Sequence, residues 1–123
     1  MAAMARRCGF AEREVARIRL ATDEAFTNAV AHSGEVGAEV RVSCCALGTA
    51  LRVSVHDRGP WFSLADVEAP DLEAPLEKRR IGGLGVHLMR SLMDEVEVVA
   101  EAGGKAVVMV KHLGGEERST HAD

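Results

Sequence analysis

The sequence predicts an α+β protein, a two-layer α/β sandwich in which helices cover one face of a mostly antiparallel sheet. The patterns follow one another as helix, two strands, an irregular segment, helix and two strands. Each pair of strands is joined by a short turn, as in a hairpin. The length of 123 residues, 47% of them hydrophobic, suits one domain with one core. We expect this domain at 1–113 and a polar, disordered tail at 114–123.

The first long helix is predicted from Ala11 to about Ala31, because apolar side chains recur there at steps of three and four. The segment "HSGE" then supplies a serine and a glycine that favour the end of the helix. The residues of the predicted apolar stripe are Val15, Ile18, Ala21, Thr22, Ala25, Phe26, Ala29 and Val30.

Strand patterns follow the helix. "AEVRVSCCA" and "ALRVSVHD" both alternate between apolar and polar residues and are separated by "LGT". This predicts a β-hairpin with one buried face. The side chains predicted to face inward are Val40, Val42, Cys44, Leu51, Val53 and Val55.

The segment from Gly59 to Gly83 has no regular pattern and contains all three prolines of the chain, so it is predicted to be a loop or lid that holds at most a short helix. A helical pattern returns in "LGVHLMRSLMDEV". The segments "VEVVAE", "AGGK" and "AVVMVKHL" then predict a strand, a turn and a strand, which is a second hairpin.

Charge and cysteine content exclude several classes of function. A net charge of −4 without a long basic run argues against a nucleic-acid binder or a binder of anionic membranes. The three cysteines show neither a disulfide framework nor the spacing of metal ligands, which indicates a reducing, cytoplasmic setting. No long apolar segment indicates a secretory signal or a membrane span.

Three polar residues line one edge of the first helix. Glu24, Asn28 and His32 are each four residues apart, so they share a face. Asparagine is unfavourable inside helices because its amide competes for backbone hydrogen bonds. A carboxylate one turn before an amide could accept a proton beside a ligand of Mg²⁺. For any one of these residues, an exposed polar edge is the simpler explanation.

Asp57 has the strand parity of Val53 and Val55, so its carboxylate is predicted to face the core side of the sheet. A carboxylate there needs hydrogen-bond donors, since burying it without them is costly. It could cap the turn "DRGP", where aspartate is common, or it could accept N–H donors of a ligand. The residue alone favours the turn.

Gly82, Gly83 and Gly85 are predicted to lie immediately before the second helix. Glycines allow a close approach of a ligand, and the start of a helix offers free N–H groups that suit phosphate. The pattern is neither a dinucleotide fingerprint nor a Walker A loop. A plain flexible loop explains it equally well.

Taken in order, "DEAFTNA", "VHDRGPWF" and "GGLGVHLMRSLMDEV" resemble the nucleotide-binding boxes of the GHKL ATPase superfamily. Within it, the chain is most similar to the stand-alone anti-sigma factor serine/threonine kinases of bacteria. The resemblance extends from about Arg19 to Leu113. It implies a sandwich of the GHKL type that binds the nucleotide between the helix layer and the lid.

The resemblance also implies a set of site residues. Asn28 would coordinate Mg²⁺ bound to the phosphates of ATP, and Glu24 would be the general base. Asp57 would accept the adenine amino group, and Gly59 would let the backbone pass close to the base.

At the start of the second helix, Gly83, Leu84 and Gly85 would contact the phosphates. Charge and position, and not the resemblance, suggest that Lys78, Arg79 and Arg80 in the predicted lid would reach the phosphates; a solvated basic surface explains them equally well. His32 would have a supporting or structural role.

Two features depart from the family pattern. Trp61 replaces the second glycine of the Asp-x-Gly-x-Gly box, where it could stack on adenine, block it or stiffen the hinge of the lid. Family members usually begin with a strand and a fuller first helix, and this chain is expected to lack that strand. A partner in a homodimer could then cover the exposed sheet edge.

The function implied is that of an ATP- and Mg²⁺-dependent protein serine/threonine kinase that binds a sigma factor and phosphorylates an anti-sigma antagonist. The alternative is a regulatory module that binds ATP or partners without transferring phosphate. A detached catalytic domain of a sensor histidine kinase is a third possibility. It is less favoured because the lid is compact and no dimerisation helix with a phosphoacceptor histidine is recognisable.

Overall fold

The computed structural model describes residues 1–32, 39–64 and 81–114, with side chains at 1–31, 39–64 and 85–114. Within these ranges it contains three helices and four strands. The helices are α1 (Ala2–Cys8), α2 (Glu12–His32) and α3 (Ile81–Leu92), and the strands are β1 (Arg41–Leu47), β2 (Ala50–Asp57), β3 (Glu95–Glu101) and β4 (Gly104–His112). Most of the predicted lid, including Lys78, Arg79 and Arg80, and nearly all of the predicted tail lie outside the described residues.

The four described strands form one antiparallel sheet in the order β1-β2-β4-β3. Both predicted hairpins are present, and they join through β2 and β4 at the centre of the sheet. Val55 of β2 is paired with Val107 of β4, which aligns the inward-facing side chains of the two hairpins. The predicted fold class is confirmed.

The core lies between the sheet and the helices. Leu51, Val53 and Val55 of β2 are fully buried, as strand parity predicts. The buried stripe of α2 is rich in alanine, and these small side chains allow the helix to pack closely on its neighbours. Each buried valine or leucine contributes about 1.5–3 kcal/mol. The helical members of this core are Ala5, Val15, Ile18, Ala21, Ala25, Ala29, Val86 and Met89, and Met93 joins them just after α3.

Lys111 of β4 fixes the far end of α3. Its Nζ donates a hydrogen bond of 2.9 Å to the carbonyl of Leu92 at the C-terminus of α3. The same atom lies 3.3 Å from Oε2 of Glu14 in α2. A cation at the C-terminal end of a helix satisfies a free carbonyl and is favoured by the helix dipole. One buried lysine therefore ties both long helices to the sheet.

Some sequence predictions are wrong in detail. The helix α3 begins at Ile81, so Gly82, Gly83 and Gly85 lie inside its first two turns and not before it. Val42 faces the predicted side but is 40% exposed, because β1 is an edge strand that the helices cover incompletely. Phe26 and Val30 of the predicted stripe are also exposed.

The helix α1 was not predicted, because seven residues are too few for a helical period to be recognised. It ends at Gly9, whose φ of 102° is a left-handed conformation that favours glycine. Among the described residues, no helix is long and apolar enough to cross a membrane.

Candidate functional site

Asp57, the last residue of β2, is only 6% exposed. Its Oδ1 accepts a hydrogen bond of 2.7 Å from the backbone N–H of Gly59 and one of 2.6 Å from Nζ of Lys105. The bond from Gly59 is the turn-capping contact that the sequence favoured. The two donors hold the carboxylate in one orientation.

The second oxygen of Asp57 has a different environment. Oδ2 is buried and has no hydrogen-bond partner among the residues that the structure describes. Buried carboxylate oxygens are normally hydrogen-bonded, since leaving them without a donor costs free energy. One oxygen of Asp57 therefore caps the turn, and the other is available to a further donor.

Lys105 is a residue of this site that the sequence analysis missed. It is 4% exposed, it lies directly opposite Asp57 in the pairing of β2 with β4, and its Nζ lies 5.8 Å from the centre of the Phe62 ring. Its parity in β4 is that of Val107 and Met109, which are both buried. This strand parity could have indicated from the sequence that Lys105 is buried, as it did for Asp57.

Gly104 brings the start of β4 close to Asp57. A Cβ atom at Gly104 would overlap the carbonyl oxygen of Asp57 and lie 2.8 Å from Cα of Arg58. Both contacts are with backbone, which cannot rotate away as a side chain can. The absence of a side chain at Gly104 thus sets the distance between the two strands beside the carboxylate.

We expect Gly104→Ala to destabilise the fold by about 1–3 kcal/mol, because the added methyl group must push the two strands apart. Unfolding in urea measures this change. Gly103→Ala is the matched control, since a Cβ there meets nothing within 4 Å, and the alanine is disfavoured only by the φ of 80° at that position. A variant of Gly104 that is no less stable than the Gly103 control would contradict the close contact.

Asn28, from the segment "DEAFTNA", lies against Gly85, from the segment "GGLGVHLMRSLMDEV". Asn28 is half-buried near the end of α2. A Cβ atom at Gly85 would overlap Nδ2 of Asn28 and lie 3.1 Å from its Oδ1. Gly85 therefore allows α3 to pack directly on the Asn28 side chain, a contact that sequence spacing did not reveal.

Glu24 precedes Asn28 in α2 by one helical turn, a rise of about 6 Å, and is also half-buried. Gly83 and Leu84 lie in the first turn of α3, with their side-chain environment outside the described part. His32 is the last residue of α2, and its side chain is likewise not described.

The described residues thus provide two candidate pairs, Asp57 with Lys105 and Asn28 with Gly85. Their sequence neighbours Val55, Ala29 and Val86 belong to one buried core cluster. The indole Nε1 of Trp61 donates a hydrogen bond of 2.9 Å to the carbonyl of Val98 in β3. This contact attaches the segment after β2 to the edge strand β3.

Comparison with known proteins identifies the fold family. Residues 1–111 match the histidine kinase-like ATPase domain. The chain belongs to this ATPase family. Membership implies the use of ATP, and it confirms the predicted resemblance to the GHKL superfamily.

Curated relatives of this ATPase domain are serine kinases. The chain is 32% identical to the serine-protein kinase RsbW of Listeria monocytogenes serovar 1/2a, over 99% of this chain and 81% of the relative. It is 35% identical to the serine-protein kinase RsbW of Bacillus velezensis, over 94% of this chain and 76% of the relative. The predicted resemblance to the serine/threonine kinase branch of the family is therefore confirmed as well.

Solved structures of histidine kinases share the fold. A blue-light activated histidine kinase of Erythrobacter litoralis superposes with a TM-score of 0.60 at 26% identity, over 86% of this chain but only 32% of that kinase. The catalytic domain of the histidine kinase ThkA superposes with a TM-score of 0.60 at 19% identity, over 80% of this chain and 66% of that domain. The matched part of this chain thus corresponds to about a third of the first of these kinases.

Proposed function

We propose that this chain is an ATP- and Mg²⁺-dependent protein serine/threonine kinase of the anti-sigma type. The similarity to serine-protein kinases over almost the whole chain supports the kinase class. The observation that carries the nucleotide site is the buried Oδ2 of Asp57, which faces no donor within the described residues.

The adenine base fits this acceptor. Its exocyclic amino group is an N–H donor, and a buried carboxylate oxygen is a strong partner for such a donor. The hydrogen bond from Gly59 to Oδ1 keeps the carboxylate oriented before the base arrives. A preoriented acceptor binds more tightly, because little freedom is lost on binding.

The phosphates and the metal fit the pair formed by Asn28 and Gly85. The amide oxygen of Asn28 is a hard ligand of the kind that Mg²⁺ prefers. The first N–H groups of α3, including that of Gly83, have no partner within the helix and can bind phosphate oxygens, and Leu84 follows them in the first turn. When bound, Mg²⁺ neutralises charge on the phosphates. Lys78, Arg79 and Arg80 are proposed to add positive charge from the lid.

Glu24 is proposed as the general base for phosphoryl transfer. Its carboxylate accepts the proton of a serine or threonine hydroxyl, whose oxygen bonds to the γ-phosphorus of ATP. The bond from that phosphorus to the bridging oxygen breaks, and ADP leaves with the electron pair. Positioning by the fold and neutralisation of charge provide most of the acceleration in reactions of this type.

The proposed partners are a sigma factor and an anti-sigma antagonist protein, which carries the acceptor hydroxyl. A cytoplasmic location is part of this proposal, because a sigma factor acts on RNA polymerase. Self-association as a homodimer also belongs to this proposal. The module without phosphotransfer is not favoured, because the curated relatives are named as kinases and Trp61 has a structural partner in β3.

Transfer of labelled phosphate tests this function. The protein is incubated with Mg²⁺, ATP labelled at the γ-phosphate and a candidate antagonist protein. We expect label on a serine or threonine of the antagonist, stable to acid. Acid-labile label on a histidine would indicate a histidine kinase instead. ATP binding with no label on any of a panel of antagonists would support the regulatory module.

Gly85→Ala is expected to lower the affinity for Mg²⁺-ATP at least about tenfold, because the new methyl group displaces the Asn28 side chain. The stability of the fold should change little, since alanine is favoured over glycine in a helix by about 1 kcal/mol, which offsets the contact. Calorimetric titration with ATP, with and without Mg²⁺, measures the effect. We predict a lower affinity for ATP in the presence of Mg²⁺ and an unchanged affinity in its absence. An unchanged affinity for Mg²⁺-ATP would contradict the role of Asn28.

A further inference from the structure

Lys105 has more hydrogen-bond donors than the described residues around it accept. A lysine ammonium carries three N–H donors and no acceptor. Within the described residues, one of them is donated to Oδ1 of Asp57. Nζ also lies 5.8 Å from the centre of the Phe62 ring. This is a cation–π contact, and the ring has no oxygen or nitrogen atom that could accept a hydrogen bond. A buried ammonium with unused donors is costly unless a further acceptor arrives.

A purely structural ion pair explains this arrangement poorly. The side chains of Lys105 and Asp57 are 5% and 1% exposed, so both charges have lost nearly all contact with water. A buried ion pair is often no more stabilising than two apolar side chains of the same volume. Here the pair also leaves Oδ2 of Asp57 without a donor from the part of the chain that the structure describes. Within the described residues, N–H donors of Lys105 and the Oδ2 acceptor of Asp57 therefore lie close together without partners.

The geometry points to Lys105 as a nucleobase-binding residue that, with Asp57, recognises the hydrogen-bonding edge of adenine. Adenine presents an acceptor, N1, directly beside a donor, the exocyclic amino group. Nζ of Lys105 donates to N1, and Oδ2 of Asp57 accepts from the amino group. This inference rests on the proposed ATP site and adds a second contact to the base. It also supplies an acceptor and a donor that Lys105 and Asp57 do not find among the described residues.

Nucleotide analogues separate the two contacts. In 1-deaza-ATP a C–H group replaces N1, so the acceptor for Lys105 is lost and the amino group remains. In purine riboside triphosphate the amino group is lost and N1 remains. Calorimetric titration of the full chain with ATP and both analogues measures each contact without any substitution. We expect ATP to bind at least about tenfold more tightly than 1-deaza-ATP, as a hydrogen bond to a charged donor implies.

Variants assign the contact to one residue. In Lys105→Met the preference for ATP over 1-deaza-ATP should disappear. Lys105→Gln, which keeps an N–H donor, should retain part of it. Lys111→Met is the matched control, because Lys111 is a second buried lysine on the same face of β4 but is bonded to Leu92 and Glu14. Its preference for ATP over 1-deaza-ATP should equal that of the wild type.

The outcomes are distinguishable. Equal binding of ATP and 1-deaza-ATP to the wild type would overturn the role of Lys105 and leave the proposed ATP site intact. A preference that persists in Lys105→Met would assign N1 to another group and overturn it as well. If Lys105→Met does not fold, the preference for ATP over 1-deaza-ATP in the wild type and in Lys105→Gln still tests the role of Lys105. Absence of binding by ATP and both analogues would count against the proposed function itself.

Discussion

Asp57→Ala is expected to destabilise the fold by about 3–5 kcal/mol and to abolish ATP binding. The stability falls because removing one partner of a buried ion pair leaves the other charge uncompensated. The ammonium of Lys105 would then be buried without its carboxylate, and the N–H of Gly59 would lose its acceptor. Unfolding in urea, together with calorimetric titration of ATP, measures both effects.

Two further variants separate stability from binding at this position. In the double variant Asp57→Ala/Lys105→Met the uncompensated charge is gone, so part of the lost stability should return while ATP still fails to bind. Asp57→Asn keeps an oxygen that can accept from Gly59 and Lys105, but presents an amide where adenine needs an acceptor. It should therefore fold and bind ATP at least about tenfold more weakly. Wild-type affinity in Asp57→Asn would contradict adenine recognition by this residue.

Glu24→Gln is expected to reduce the rate of phosphoryl transfer by about 10²–10⁴-fold, the usual contribution of a general base. The affinity for ATP should stay within about threefold of the wild type, since a base that contacts the acceptor hydroxyl contributes little to nucleotide binding. Single-turnover transfer to the antagonist measures the rate, and calorimetry measures the affinity.

Asp23→Asn provides the control for Glu24. Asp23 is an exposed carboxylate in the same helix, adjacent in sequence but on a different face from Asn28. Its variant should transfer phosphate at the wild-type rate. A parallel loss of transfer and ATP affinity in folded Glu24→Gln would remove Glu24 from the catalytic role and make it a binding residue.

Local periodicity in the sequence predicted most of the fold. The helical period of the alanine-rich stripe located α2 to within one residue at each end. Strand parity predicted both hairpins and the burial of Asp57, because every second residue of a strand faces the same side. These features depend on neighbouring residues alone, so a single sequence is sufficient to predict them.

Features that depend on distant residues were not predictable in the same way. The contact of Gly85 with Asn28 joins two helices, and the glycine pattern alone indicated a loop before α3. The pairing of Lys105 with Asp57 depends on the register of β2 against β4, which the sequence did not specify. The exposure of Val42 depends on the position of β1 at the edge of the sheet.

The central claim is that one molecule of ATP binds with its adenine at Asp57 and its Mg²⁺ at Asn28. A crystal structure of the full chain with Mg²⁺ and a non-hydrolysable ATP analogue tests it most directly. We predict the adenine amino nitrogen about 2.7–3.2 Å from Oδ2 of Asp57, and Mg²⁺ about 2.0–2.1 Å from Oδ1 of Asn28. A nucleotide bound on the opposite face of the sheet, or one whose base and metal contact neither residue, would contradict the claim.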